Sequence, residues 1–223
     1  MSEPTLYYPC HLLESIEAEL DDKADDILER PDPARSVAPR LSVIVRGVRP
    51  EDQIAACLRA LGRSLAMAQC EAEVFILTEQ PVANRLAQRM AGRVEELILS
   101  PGDPAAKGVN EAANRARGAL LLIMDGAPMP LSGAIETALS LWSHSPGTGT
   151  LTGRIVLRDG TLVSAGGTIW SDDRPSPRGA GERANDPAYM FQFDTDFSTS
   201  QFLITDRETY LHHEGFDESL PSL

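Results

Sequence analysis

Residues 107–130, KGVNEAANRARGALLLIMDGAPMP, constrain the fold of this chain more than any other stretch. A helical pattern runs to Gly118, a continuous apolar run fills residues 119–124, and a lone carboxylate, Asp125, closes it. An apolar run of this length reads as a buried strand. Open α/β sheets bind ligands beyond the carboxyl ends of their strands, so helix, strand and acid in this order place Asp125 at the ligand edge. The next two residues are Gly126 and Ala127, neither of which can ligate a metal through its side chain.

The same grammar repeats upstream. LSVIVR (41–46) is a short, β-branched apolar run and predicts a buried strand. Pro50 sits at the first turn of a helix reaching about Met67, with Glu51 and Asp52 suited to its N-terminal dipole. EVFILT (73–78) predicts a second strand, residues 82–91 a helix stopped by Gly92, and VEELIL (94–99) a third strand. SPGDP is then a turn. After Pro130, Ile135, Leu139 and Trp142 mark a helix that ends at SPGTGT. TGRIVLRDGTLVSAGGTIW predicts two strands around an Asp159-Gly160 turn. Residues 171–187, rich in Pro, Gly, Asp and Arg, are expected to form a mobile loop. STSQFLIT is a last strand, and a short helix leads to GFDE (215–218). The fold class expected is α/β, a mixed and mainly parallel sheet with helices on both faces.

Two domains of the chain are distinguished, 1–39 and 40–223. In the first, Leu12, Leu13, Ile16, Leu20, Ala24, Ile27 and Leu28 recur at helical spacing, and Pro31, Pro33 and Pro39 form a linker behind them. The helix expected over 11–29 either packs on the following domain or docks a protein partner or second copy. Residues 11–30 hold eight acids against two bases, a large share of the formal net charge of −13. That charge argues against nucleic-acid or anionic-membrane binding, while leaving room for a local basic pocket. No apolar run approaches the roughly 20 residues of a membrane helix, and no signal pattern opens the chain, so a cytoplasmic protein is expected. Cys10, Cys57 and Cys70 have neither disulfide nor zinc spacing and read as small buried hydrophobes.

From Leu41 onward the order of segments resembles the glycosyltransferase family 2 domain of the GT-A fold. LSVIVR is similar to its opening strand. NEAANRARG (110–118) is similar to its N-x-G-x-x-x-A-x-G helix, with Ala112 in place of the glycine. LLIMDGAP resembles the strand that ends in the acidic metal motif, and RIVLRDGTLVSAGG the hairpin with its AGG. FLITDRETYLHHEGFDE resembles the end of the catalytic domain, with Arg207 and residues 215–218 at family positions. The resemblance implies a nucleotide-diphospho-sugar donor, a glycan, lipid or protein acceptor, and Mg²⁺ or Mn²⁺ at Asp125. Ala127 stands where the family places a second metal-binding aspartate, which weakens metal use to one carboxylate plus water and phosphate oxygens. Thr78 stands where the family has a base-contacting aspartate, and Glu79 follows it. The family's general base lies a short way beyond GFDE, so an end at Leu223 reads as a C-terminal truncation, and no catalytic residue is assigned.

Inverting transfer needs a carboxylate to take the acceptor proton, charge to hold the departing diphosphate, and an oriented acceptor. The candidates for nucleotide-sugar contact are Arg46, Glu79, Lys107, Asn110 and Asp125. Arg46, at the end of a buried strand, requires a partner. Lys107 reads equally as a phosphate contact near a helix start or a surface lysine. Asp125 reads as site residue or turn residue. His212 and His213 diverge by roughly 100° if both are helical, which disfavours a joint metal site. Trp170 reads as a core residue or a stacking platform. The alternative to an enzyme is a GT-A-fold module that has lost its chemistry and serves protein–protein interaction.

Overall fold

Aliphatic and β-branched runs build the central sheet, and alternation along each run decides which helix layer a side chain meets. The computed structural model describes residues 40–47, 51–79, 94–100 and 102–220. The helices expected at 11–29 and 82–91, the linker at 30–39 and Cys10 lie outside these residues. The elements in chain order are β1 (Leu41–Arg46), α1 (Glu51–Met67), β2 (Ala72–Thr78), β3 (Val94–Ile98), α2 (Ala105–Arg115), β4 (Leu120–Asp125) and α3 (Ala134–His144). They are followed by β5 (Thr150–Thr152), β6 (Ile155–Val156), β7 (Leu162–Ser164), β8 (Gly167–Ile169), β9 (Pro175–Pro177), a 3₁₀ turn (Pro187–Tyr189), β10 (Phe202–Asp206) and α4 (Arg207–His212).

The six-stranded sheet has the order β3-β2-β1-β4-β10-β5. β3, β2, β1 and β4 are parallel, and β10 runs antiparallel between β4 and β5. The sheet is therefore mixed and mainly parallel, as expected from sequence. β1 is buried at all six positions because both faces are covered. On one face Leu41, Val43, Val45, Ile76, Leu122 and Met124 pack with Leu58, Leu61 and Leu65 of α1 and Ile135 and Leu139 of α3. On the other, Ile44, Phe75, Leu121 and Ile123 pack with Val109, Ala112 and Ala113 of α2 and Tyr210 of α4. Cys57 and Cys70 are free and buried.

α2 ends at Arg115, three residues before the Gly118 stop expected from sequence. Gly118 has a different role. A Cβ there would lie 2.5 Å from Ser42 Oγ and 2.6 Å from Ser42 N, so the chain entering β4 passes against the β1 backbone only with glycine at that point. The Gly118 N–H donates to Ser42 Oγ at 2.8 Å, and Ser42 Oγ donates to Glu73 Oε1 at 2.6 Å.

The Asp159-Gly160 turn forms as expected, joining β6 and β7 with Gly160 at φ 85°. Residues 171–187 differ from the expected mobile loop. β8 and β9 form a second hairpin (Gly167 opposite Pro177, Ile169 opposite Pro175), and Leu162 N–H donates to Glu182 O at 2.8 Å. Positive-φ glycines at 179 and 181 let this polar segment return alongside β7, where backbone pairing replaces apolar packing. Trp170, the last residue before this turn, is exposed rather than in the core. α4 stops at His212, so the two histidine rings do not diverge as helical neighbours would. They meet edge to face with centroids 5.2 Å apart.

Candidate functional site

The strand order determines where a ligand can enter. β1, β2 and β3 follow one another outward, and β4 lies on the opposite side of β1. β1 leads through α1 toward β2 and β4 leads through α3 toward β5, so their carboxyl ends form the switch point of the sheet, the place where open α/β sheets bind ligands. Arg46 and Asp125 are the last residues of those two strands and are direct register partners. Both candidates are thus brought together by the sheet itself.

Arg46 Nε lies 2.7 Å from Asp125 Oδ1, with the arginine side chain 8% exposed and the aspartate 28%. The contact is one of charge rather than an aligned hydrogen bond, since the buried Nε has no acceptor along its N–H direction. Arg46 Nη2 donates to Ser200 Oγ, from the segment leading into β10. The backbone closes the same corner: Gly126 N–H donates to Arg46 O at 2.8 Å and Asp125 N–H to Gln201 O at 3.3 Å. Three chain segments, the ends of β1 and β4 and the residues leading into β10, meet at this guanidinium.

Ser200 carries no recognisable signal in the sequence. Its pairing with Arg46 spans 154 positions, and only the antiparallel placement of β10 beside β4 creates it.

This donor set does not fit a divalent cation held by carboxylates. Asp125 already faces Arg46, and Ala127 adds no ligand. A divalent ion and a guanidinium about 4 Å apart repel by roughly 8 kcal/mol at an effective dielectric of about 20. Among the described residues, no three His, Cys, Asp or Glu side chains gather into a metal-holding group.

The other candidates stand elsewhere. Thr78 ends β2 buried, its Oγ1 donating to Glu96 Oε1 at 3.0 Å, and Glu79 follows exposed at the sheet's carboxyl edge. Lys107 is half-exposed on α2 and pairs with Asp103 at 3.1 Å, one turn away. Asn110 does not join Arg46 and Asp125. Its Nδ2 donates to Phe216 O and Glu218 Oε1, both at 2.9 Å, and its Oδ1 accepts from Tyr210 Oη at 2.7 Å and Phe216 N at 3.0 Å. The amide thereby clasps the GFDE segment to α2. Gly215, at φ 72°, is required there because a Cβ would lie 2.4 Å from Asn110 Oδ1.

A groove of 920 Å³ runs beside β5, between residues 145–154 and 189–195. β5 is parallel to β4, so its carboxyl end, with Gly153 and Arg154, lies at the same sheet edge as Asp125. Arg154, Gln192 and Asp194 line the groove together with Met190, Phe191 and Phe193.

Comparison with solved structures defines the class of fold. The chain superposes on the mannosyltransferase PcManGT from Pyrobaculum calidifontis, solved in complex with GDP-Man and Mn²⁺, with a TM-score of 0.55 at 16% identity. It also superposes on residues 1–349 of TarS from S. aureus, with a TM-score of 0.51 at 18% identity. These matches cover 93% and 81% of this chain but only 60% and 51% of the two proteins, so the chain spans little more than half of either. No family model matches the chain, and no curated protein does. The fold is GT-A-like, a mixed α/β sheet of the kind found in glycosyltransferases. No helix among the described residues is long and apolar enough to cross a membrane.

Proposed function

We propose that this chain binds a nucleotide-diphospho-sugar at the switch point between β1 and β4 and transfers the sugar to a glycan, lipid or protein acceptor. The observation that carries this reading is the convergence of Arg46, Asp125 and Ser200 at the switch point of a GT-A-like sheet. The nucleotide sugar in the complex of PcManGT supports the donor class. Arg46 and Asp125 form the centre of the site. Glu79 lies at the same edge within reach of the nucleoside side, and the groove beside β5 offers polar and aromatic groups to the acceptor. The ordered resemblance of segments from Leu41 onward supports family 2, with residues 40–223 as the transferase unit.

Thermal unfolding of the full chain with UDP- and GDP-sugars tests the reading. A ligand at about 100 times its Kd raises stability by roughly 2.7 kcal/mol. No stabilisation by either nucleotide class would contradict it.

One observation also favours a second reading, a GT-A-fold module without turnover that recruits a protein partner. The position expected to hold metal is neutralised by Arg46 and flanked by Ala127. Nucleotide binding with no sugar transfer to any acceptor fraction supports this module, and detected transfer excludes it. A role for residues 11–29 in self-association predicts that the apolar positions of this segment carry the contact. Ile16→Asp and Leu20→Asp together are then expected to lower the mass measured by light scattering.

A further inference from the structure

We infer that Arg46 holds the donor's diphosphate in the place where a carboxylate-bound metal ion would otherwise act, and that Asp125 is the brace that positions Arg46. The inference rests on the nucleotide-sugar reading above and specifies how that site works.

Its grounds are geometric. Arg46 places a cation at the switch point, and a buried guanidinium needs negative charge about it. Asp125 meets that need only in part, because Nε and Oδ1 are close but poorly aligned, leaving the N–H unsatisfied. Ser200 Oγ accepts one Nη2 hydrogen. Nε itself is closed to solvent, so a diphosphate meets the Nη edge of the fork and brings several anionic oxygens to the planar geometry that arginine matches. A guanidinium at this point also stabilises the charge that collects on the leaving nucleoside diphosphate, without a bound ion. Of positions 125 and 127 only the first carries an acid, and that acid already pairs with the arginine.

Calorimetric titration of the full chain with UDP, GDP and dTDP, in EDTA and again in Mn²⁺, tests this. At least one diphosphate is expected to bind in EDTA, with an affinity that Mn²⁺ changes by no more than about twofold. Arg46→Gln is expected to weaken binding by about 10- to 100-fold, the loss typical of a charged hydrogen-bonding partner. Because Arg46→Gln leaves Asp125 without its partner, the double variant Arg46→Gln/Asp125→Asn removes both charges together and is checked for folding by circular dichroism. It is expected to show the same loss. Binding that requires Mn²⁺ and disappears in Asp125→Asn alone would overturn this inference and leave the nucleotide-sugar reading standing. Wild-type affinity in the folded double variant would overturn it likewise. Failure of every diphosphate to bind wild-type protein in both buffers would overturn the inference together with the reading beneath it.

Discussion

Asn110 and Gly118 show how single residues position the site without entering it. Asn110 uses both ends of its amide in four hydrogen bonds that tie α2 to residues 210–218. Asn110→Ala takes the acceptor from the buried Tyr210 hydroxyl and the donor from the Phe216 carbonyl, and a loss of about 2–4 kcal/mol is expected in urea unfolding. A loss below about 0.5 kcal/mol would show that water replaces the clasp. Gly118→Ala drives a Cβ into the Ser42 backbone, which cannot give way as a flexible side chain would. It is expected to cost about 1–3 kcal/mol or more by the same measurement. Two buried groups also set an alkaline limit. Burial pushes the Tyr210 phenol up to about 12 and the Cys57 thiol up to about 11. In the unfolded chain these groups ionise near their ordinary values, 10.0 and 9.0. The unfolded state therefore loses protons first, and the stability each contributes is fully present below its unfolded pKa and lost as pH rises through the folded one. The urea midpoint is expected to fall between about pH 9 and 12, and Cys57→Ala to flatten the part of that fall between about 9 and 11. A midpoint independent of pH over this range would contradict the burial of both.

At the scale of elements, β1 and β4 make the candidate site by lying side by side. β4 is buried at five of its six positions, and only Asp125 reaches partial exposure. Leu122, fully buried between the helix layers, is expected to cost about 2–5 kcal/mol on Leu122→Ala. The apolar runs of β1, β2 and β4 are legible in the sequence to within a residue, because a strand covered on both faces must be continuously apolar. The Asp159-Gly160 hairpin is legible for a local reason, its turn chemistry. The second hairpin, β8 with β9, is not. Its strands contain Pro175 and Pro177 and few apolar residues, and it exists through backbone pairing with distant segments. Helix termini are likewise hard to place: α2 stops at Arg115, while Gly118, the local stop signal, answers to the backbone of β1. The candidate site divides along the same line. Arg46 and Asp125 stand at ends of legible strands, whereas Ser200 and the fourfold use of Asn110 arise from contacts across 100 residues or more.

For the whole molecule, a formal net charge of −13 opposes the anionic donor proposed above. Long-range repulsion acts against a nucleotide sugar, so the proposed binding requires local positive charge at a switch point partly screened from solvent. In the proposed site that charge is Arg46 at the ends of β1 and β4, while the groove beside β5 lies toward the same sheet edge. Binding of UDP or GDP mapped residue by residue on the ¹⁵N-labelled chain tests this claim most directly. The expected amide shifts centre on Arg46 and Gly47, on Asp125, Gly126 and Ala127, and on Ser200 and Gln201. Saturable shifts confined to any other part of the chain, or no shifts at millimolar nucleotide, would contradict the account.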